Sequence, residues 1–205
     1  AIGYQALKTQ NAGASGLNVA VGYQAGTAVT TGVKNVIVGA SAGVALAGGA
    51  NNTAVGYEAL STEDGHGNNT AIGYRALKTL NAGAEGHNTA VGVDAGLSVT
   101  TGVKNVIVGS LAGDALAAGA NNTAIGYEAL STEDAHGNNT AIGYRALKDL
   151  DAGATGNNTA VGVDAGTKLS TGTKNTIVGA EAGDALTTGI TNVAVGYQAL
   201  STDTA

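Results

Sequence analysis

The string Ala/Ile-Val/Ile-Gly recurs twelve times in 205 residues, and its spacing admits few folds. Its glycines are Gly3, Gly22, Gly39, Gly56, Gly73, Gly92, Gly109, Gly126, Gly143, Gly162, Gly179 and Gly196. The intervals run 19, 17, 17 and 17, then repeat in the same order, giving a 70-residue super-repeat present almost three times (1–70, 71–140 and 141–205). Some copies are nearly identical: Ala54–Asp64 and Ala124–Asp134 differ only by Val55 against Ile125. A period of 17 is too short for a helix-pair repeat or a propeller blade, and it suits one coil of a β-solenoid.

Aligned on the motif glycine, the other columns sort themselves. Four residues earlier stands Asn in every complete motif: Asn18, Asn35, Asn52, Asn69, Asn88, Asn105, Asn122, Asn139, Asn158, Asn175 and Asn192. Val or Ile directly precedes the glycine, and Ala stands three residues after it, from Ala6 to Ala199. The fourth place after it follows the order Leu, Gly, Gly, Leu. All seven Tyr directly follow a motif glycine (Tyr4, Tyr23, Tyr57, Tyr74, Tyr127, Tyr144, Tyr197).

This pattern predicts strands. Asn-Thr-Ala-Val-Gly alternates polar and apolar, with Thr/Val and Val/Ile on one face of an extended segment. β-branched residues favour that conformation, and the glycine allows a corner or a close backbone approach. Tyr57–Asp64 has room for one helical turn, with Gly on both sides. The expected fold is therefore all-β: a parallel β-solenoid or β-roll of about twelve coils of 17–19 residues, one repetitive unit over 1–205. Coils spaced about 4.8 Å apart give a rod of roughly 55 Å. The Asn column is expected to form an amide ladder, as in cross-β stacks, with stability coming from neighbouring coils.

Composition limits the core. There is no Pro, Cys, Met, Trp or Phe, and 34 residues are Gly. Inward candidates are Val, Ile, Thr and Ala, with Leu in half the turns. At about 25 cal/mol per Å2, such coils gain less than Phe- or Leu-rich ones. Self-association offsets a thin core, with a homotrimer as the natural closed form for a fibre, or a filament as the open one.

The string at Asn122–Leu130, Asn-Thr-Ala-Ile-Gly-Tyr-Glu-Ala-Leu, resembles the NTAxGxxAL repeats of phage tail-fibre and bacterial tail-fibre-domain surface proteins. More distantly the chain is similar to the head repeats of YadA-like trimeric autotransporter adhesins, which form a trimeric left-handed parallel β-roll with a period of about 14. The period here is 17 or 19, the Asn stands one place closer to the Gly, and Tyr-x-Ala-Leu replaces a small-residue stretch. The resemblance implies a spacer or receptor-binding role in an extracellular, cell-surface or virion fibre, with a cell-surface glycan or protein as receptor. It carries no catalytic residue. The chain lacks an initiator Met and opens inside a motif, so it reads as a fragment of a longer repetitive protein.

Other chemistry is sparse. Glu63-Asp64-Gly65-His66 and Glu133-Asp134-Ala135-His136 set carboxylates beside a His, a cation-loop candidate weighed against a solvated loop. Asp94 and Asp164 fall in a column shared with Gln5, Arg75, Glu128 and Gln198, which reads as an outward polar face. Thr53, Thr70, Thr89, Thr123, Thr140 and Thr159 suggest an ice-binding array, but Val19, Val36, Val106 and Val193 share the column and favour a semi-buried wall. The Tyr column, best exemplified by Tyr57, Tyr74, Tyr127 and Tyr144, offers rings for sugar stacking. Asn51, Asn68, Asn121, Asn138 and Asn157 head Asn-Asn-Thr sequons, which the ladder motif explains without glycosylation. Fifteen acidic against nine basic side chains leave no footprint for nucleic acid. No apolar run approaches the roughly 20 residues of a membrane span. Catalysis, cofactors and metals are not expected. A binding module for glycan or ice is the competing expectation.

Overall fold

The computed structural model describes residues 1–11, 13, 16–63, 65–83, 86–132, 135–152 and 156–202. Eleven three-residue strands make one parallel sheet in sequence order: β1 (Val19–Val21), β2 (Val36–Val38), β3 (Thr53–Val55), β4 (Thr70–Ile72), β5 (Thr89–Val91), β6 (Val106–Val108), β7 (Thr123–Ile125), β8 (Thr140–Ile142), β9 (Thr159–Val161), β10 (Thr176–Val178) and β11 (Val193–Val195). The twelfth motif, at the start, makes a single bridge from Ile2 to Val21. Every strand pairs in the same register, so motif positions stack column on column. Ten steps of about 4.8 Å give a rod close to 48 Å. This is the expected parallel β-solenoid.

The glycine after each strand makes the corner. Gly22 has φ +138°, and a Cβ on it would stand 2.5 Å from the carbonyl oxygen of Gly39 one coil on. Only glycine tolerates both the backbone angle and that approach. Three other columns carry ordinary residues in the left-handed region. One lies two after the glycine, as at Glu58 (φ 52°) and Arg75 (φ 53°). A second lies four after it, as at Leu60 (φ 50°) and Leu77 (φ 48°). The third lies five before it, at Lys34, Asn51, Asn68 and their copies. The first Asn of each Asn-Asn-Thr is therefore a left-handed corner, a conformation Asn tolerates well. The stretch after Tyr57 folds as a turn, with Ala59 N–H donating to the Gly56 carbonyl at 3.4 Å, not as a helical turn.

The inward face is the reverse of the one the alternation suggested. The middle residue of each strand is buried: Ala in most coils and Ile at Ile37, Ile107 and Ile177. The flanking Thr/Val and Val/Ile columns face outward and are half-buried or exposed. The core is completed by the Ala three after the glycine and by Leu or Val just beyond. Volumes balance over four coils. A Cβ on Gly26 would meet Ile37 Cδ1 at 2.8 Å and Leu7 Cδ2 at 3.0 Å, so the glycines in that column make room for the isoleucines and for the leucines stacked beside them. The 70-residue super-repeat is thus a packing period, in which large and small residues alternate to keep an even density.

The Asn column is buried between its ends, but its ladder is not one of amide on amide. Each side-chain oxygen accepts the backbone N–H of the next Asn. Asn52 N donates to Asn35 Oδ1 at 2.8 Å, and Asn122 N donates to Asn105 Oδ1 at 2.8 Å. In the 17-residue coils the Nδ2 crosses the coil to a carbonyl fourteen residues on, as Asn35 Nδ2 does to Gly49 at 2.8 Å and Asn105 Nδ2 to Gly119 at 2.8 Å. Direct amide contacts join Asn88 to Asn69 (3.3 Å), Asn158 to Asn139 (3.3 Å) and Asn175 to Asn158 (3.1 Å). One side chain thereby fixes both the stacking of coils and the closure of each.

Candidate interaction surface

The outer face of the sheet is built from the strand residues that point away from the core. Thr and Val fill the column three before the glycine, and Val and Ile the column one before it. Val36 and Val106 are 40% and 41% exposed, and Thr53, Thr70 and Thr89 are half-buried. The Thr/Val wall is accordingly a water-facing column, and its in-line register follows directly from the strand pairing.

Beside it runs the column that holds every Tyr. The rings do not form a continuous ladder; they stack in pairs. Tyr57 and Tyr74 lie 5.4 Å apart at 13°, Tyr127 and Tyr144 lie 5.5 Å apart at 13°, and Tyr4 and Tyr23 lie 5.4 Å apart at 14°. Val93 and Ser110 separate the two central pairs, and Val163 and Ala180 follow the second. The column therefore alternates two bulky residues with two small ones over each four-coil period. Offset stacking of this kind contributes about 0.5–1.5 kcal/mol beyond area burial.

Charges border the Tyr pairs. Arg75 makes a bidentate pair with Asp94, both contacts 2.8 Å, and its guanidinium lies 4.8 Å from the Tyr74 ring centre. Arg145 likewise donates through Nε to Asp164 Oδ1 (2.8 Å), with its guanidinium 4.8 Å from the Tyr144 ring centre. Hydrogen bonding to Asp94 and Asp164 raises both guanidinium pKa values. Lys78 meets Glu58 at 2.6 Å and Lys148 meets Glu128 at 2.7 Å, which holds both carboxyls below their ordinary range. Glu58 and Glu128 in turn raise the pKa of the neighbouring Tyr57 and Tyr127 hydroxyls by hydrogen bonding. Asp94 is nearly buried beneath Arg75 and Asp164 is half-buried, so neither stands on the outward polar face that their column mates suggested. A shallow cleft of about 190 Å3 beside Arg145 and Asp164 is lined also by Thr167, Lys168, Glu181 and Asp184.

The carboxylate–His loop has a different role from cation binding where it is described. Asp64, Glu133 and Asp134 lie outside the described residues. Glu63 is fully buried, in the core column that holds Leu or Val in neighbouring coils. Its Oε1 accepts the backbone N–H of His66 at 3.0 Å and stands 3.1 Å from His66 Nδ1, while Oε2 accepts the Ala82 N–H at 3.2 Å. Both oxygens are already engaged, so Glu63 acts as a cap for two backbone donors. Among the described residues, no three Asp, Glu or His side chains converge to hold a metal ion.

The Asn and Gly columns lie in the core and at the corners, where they build the scaffold rather than a surface. Tyr57, Tyr74, Tyr127 and Tyr144 are all exposed. The pairing of the rings and the Arg–Asp and Lys–Glu links were not read from the sequence, although the seventeen-residue spacing of Tyr57 and Tyr74 carries the signal. Among the described residues, no helix is long and apolar enough to cross a membrane. No family model, curated protein or solved structure matches this chain.

Proposed function

We propose that this chain is a structural repeat shaft of an extracellular or virion fibre, acting as a self-associating spacer and adhesive surface rather than as an enzyme. One observation carries the reading. Each coil adds one strand to a single sheet in unchanged register, so length is proportional to repeat number. Near-identical 70-residue copies suit growth by duplication, which extends reach without a new fold. The fibre setting rests on the resemblance of the Asn-Thr-Ala-Val/Ile-Gly-Tyr-x-Ala-Leu string to fibre repeats. Self-association is supported by the exposed outer face, since contiguous apolar patches beyond a few hundred Å2 mark interaction sites.

Electron microscopy of the chain beside a version carrying one further copy of residues 71–140 tests the shaft. The lengthened rod gains about 19 Å, four coils of about 4.8 Å, at unchanged width. A wider particle of unchanged length overturns the reading.

A second reading, a glycan-binding module, is favoured by the paired exposed rings flanked by Arg75 and Arg145. Replacing Tyr57, Tyr74, Tyr127 and Tyr144 by Ser would abolish glycan retention at unchanged circular dichroism; unchanged retention excludes it. The Thr/Val face supports ice binding in the same class, read by thermal hysteresis that Thr89→Tyr would remove.

A further inference from the structure

The Tyr column is self-complementary, and this identifies how two copies would meet. Number the coils by their motif glycine, from Gly3 as the first to Gly196 as the twelfth. From the third coil onward the column reads one small residue, two Tyr, two small, two Tyr, two small, one Tyr. Reversing that order exchanges every Tyr with a small residue. We propose that a second copy of this chain docks on the outer sheet face in antiparallel orientation, about a two-fold axis that runs along the strands between the coils of Gly109 and Gly126. This pairing rests on the self-associating reading above and deepens it.

The operation turns the rod end for end but leaves each column facing its own counterpart. Tyr127 then lies opposite Ser110 of the second copy, and Tyr144 opposite its Val93. Further out, Tyr57 lies opposite Ala180 and Tyr74 opposite Val163. At the end of the overlap, Tyr197 meets Ala40. The bulky pair of one copy fills the hollow over the small pair of the other, in the isologous manner of a two-fold interface. Val93 and Val163, the floors of the hollows, are 49% and 50% exposed in the single chain.

Charge and area agree with the same operation. Along the neighbouring polar column it brings Arg75 level with Asp164 of the second copy, and Arg145 level with its Asp94. It also brings Glu58 level with Glu181, the one like-charged pair. Ten coils overlap, nine steps or about 43 Å of rod. With a surface roughly 15 Å wide, from the Thr/Val column to the Tyr rings beyond the corner glycine, each copy covers about 650 Å2, somewhat below the about 800 Å2 per partner of a standard stable interface. A parallel two-fold or an in-register trimer would set coils of equal height side by side, so the bulky pairs would share a level and leave both hollows empty.

The test uses cysteine cross-linking, since the chain has no Cys of its own. The expected result is a dimer by analytical ultracentrifugation. Oxidation should link Tyr57→Cys chains to Ala180→Cys chains in a mixture, while Ala180→Cys chains alone stay unlinked. Filling the hollows with Val93→Tyr, Ser110→Tyr, Val163→Tyr and Ala180→Tyr should weaken self-association about 100-fold, at unchanged circular dichroism. Self-linking of Ala180→Cys alone would overturn the antiparallel pairing while leaving self-association intact. A monomeric wild-type chain would overturn both the pairing and self-association, and the rod-length measurement would then decide the shaft by itself.

Discussion

The 17-residue and 19-residue coils follow the same corner rule but differ in how they close. In the shorter coils the Asn side chain spends both ends, as Asn105 does on Asn122 N and on the Gly119 carbonyl. In the longer coils, which begin at Asn69 and Asn139, the acceptor across the coil is lost. Asn69 Nδ2 turns back to the Gly67 carbonyl at 3.2 Å. Asn139 Nδ2 is buried and has no partner among the described residues. The ladder above is repaired by doubling, because Asn69 Oδ1 accepts both N (3.1 Å) and Nδ2 (3.3 Å) of Asn88. The longer coil is also propped from outside. Glu63 reaches up from the coil below to the Ala82 N–H, and the Glu58–Lys78 and Arg75–Asp94 pairs tie the coil to both neighbours. Two inserted residues are tolerated because the lost internal bond is replaced by bonds between coils.

The largest expected effect ignores the difference. Gly73→Ala, entering a longer coil, and Gly109→Ala, entering a shorter one, each add strain at φ near +140° and +136° and a collision with the backbone of the next glycine. Each should cost about 4 kcal/mol, strain and overpacking combined, by urea denaturation. A much smaller cost at Gly73 would mean that the corner itself relaxes in the longer coil. Asn105→Ala should separate the two classes. It strands Asn122 N–H and the Gly119 carbonyl, about 3 kcal/mol in all, against about 1.5 kcal/mol for Asn139→Ala, where one end was already unpaired. Equal losses would refute the account of coil closure. Glu63→Gln should cost about 1 kcal/mol, because one of its two backbone donors loses its acceptor. Hydrogen exchange should then quicken at one of Ala82 and His66 and stay unchanged near Asn105.

Much of this was legible beforehand, for stated reasons. The period, the parallel stacking and the corner glycines follow from recurrence alone. The facing of the strand did not, because a period of two names two faces without saying which is inside. The Val and Ile next to the glycine looked more like core than the Ala before them. The informative residues were Ile37, Ile107 and Ile177, which occur only where glycine occupies the fourth place after the motif. That coupling of large with small is the signature of the interior. The second Asn role was hidden because its acceptor is a backbone carbonyl, which leaves no side-chain trace. The Glu63 cap is neither the cation loop nor the solvated loop that the sequence offers, because a buried carboxylate, a coordinating one and a solvated one look alike in sequence.

Acid titration should expose the smallest part of the contrast. Glu58 and Glu128 are held below the ordinary 4.5 chiefly by hydrogen bonds from Lys78 and Lys148. Their contribution is present above the ordinary value and is lost as pH falls through the lowered one. Both pairs are at the surface, so each is worth a few tenths of a kcal/mol, about 0.3. Asp114 has the opposite sign. Burial raises it above the ordinary 3.8, and its Oδ1 is buried without a partner. The associated stability is complete below 3.8 and is lost as pH rises through the raised value. Acidification should therefore stabilise the shorter coil around Asp114 and loosen the ties of the longer coils. Asp114→Asn should remove the gain, and Glu58→Gln with Glu128→Gln should remove the loss. Hydrogen exchange at stepped pH reads both limbs by coil. A simultaneous response everywhere would mean that the solenoid opens as one unit, and that the longer coils are no weaker than the rest.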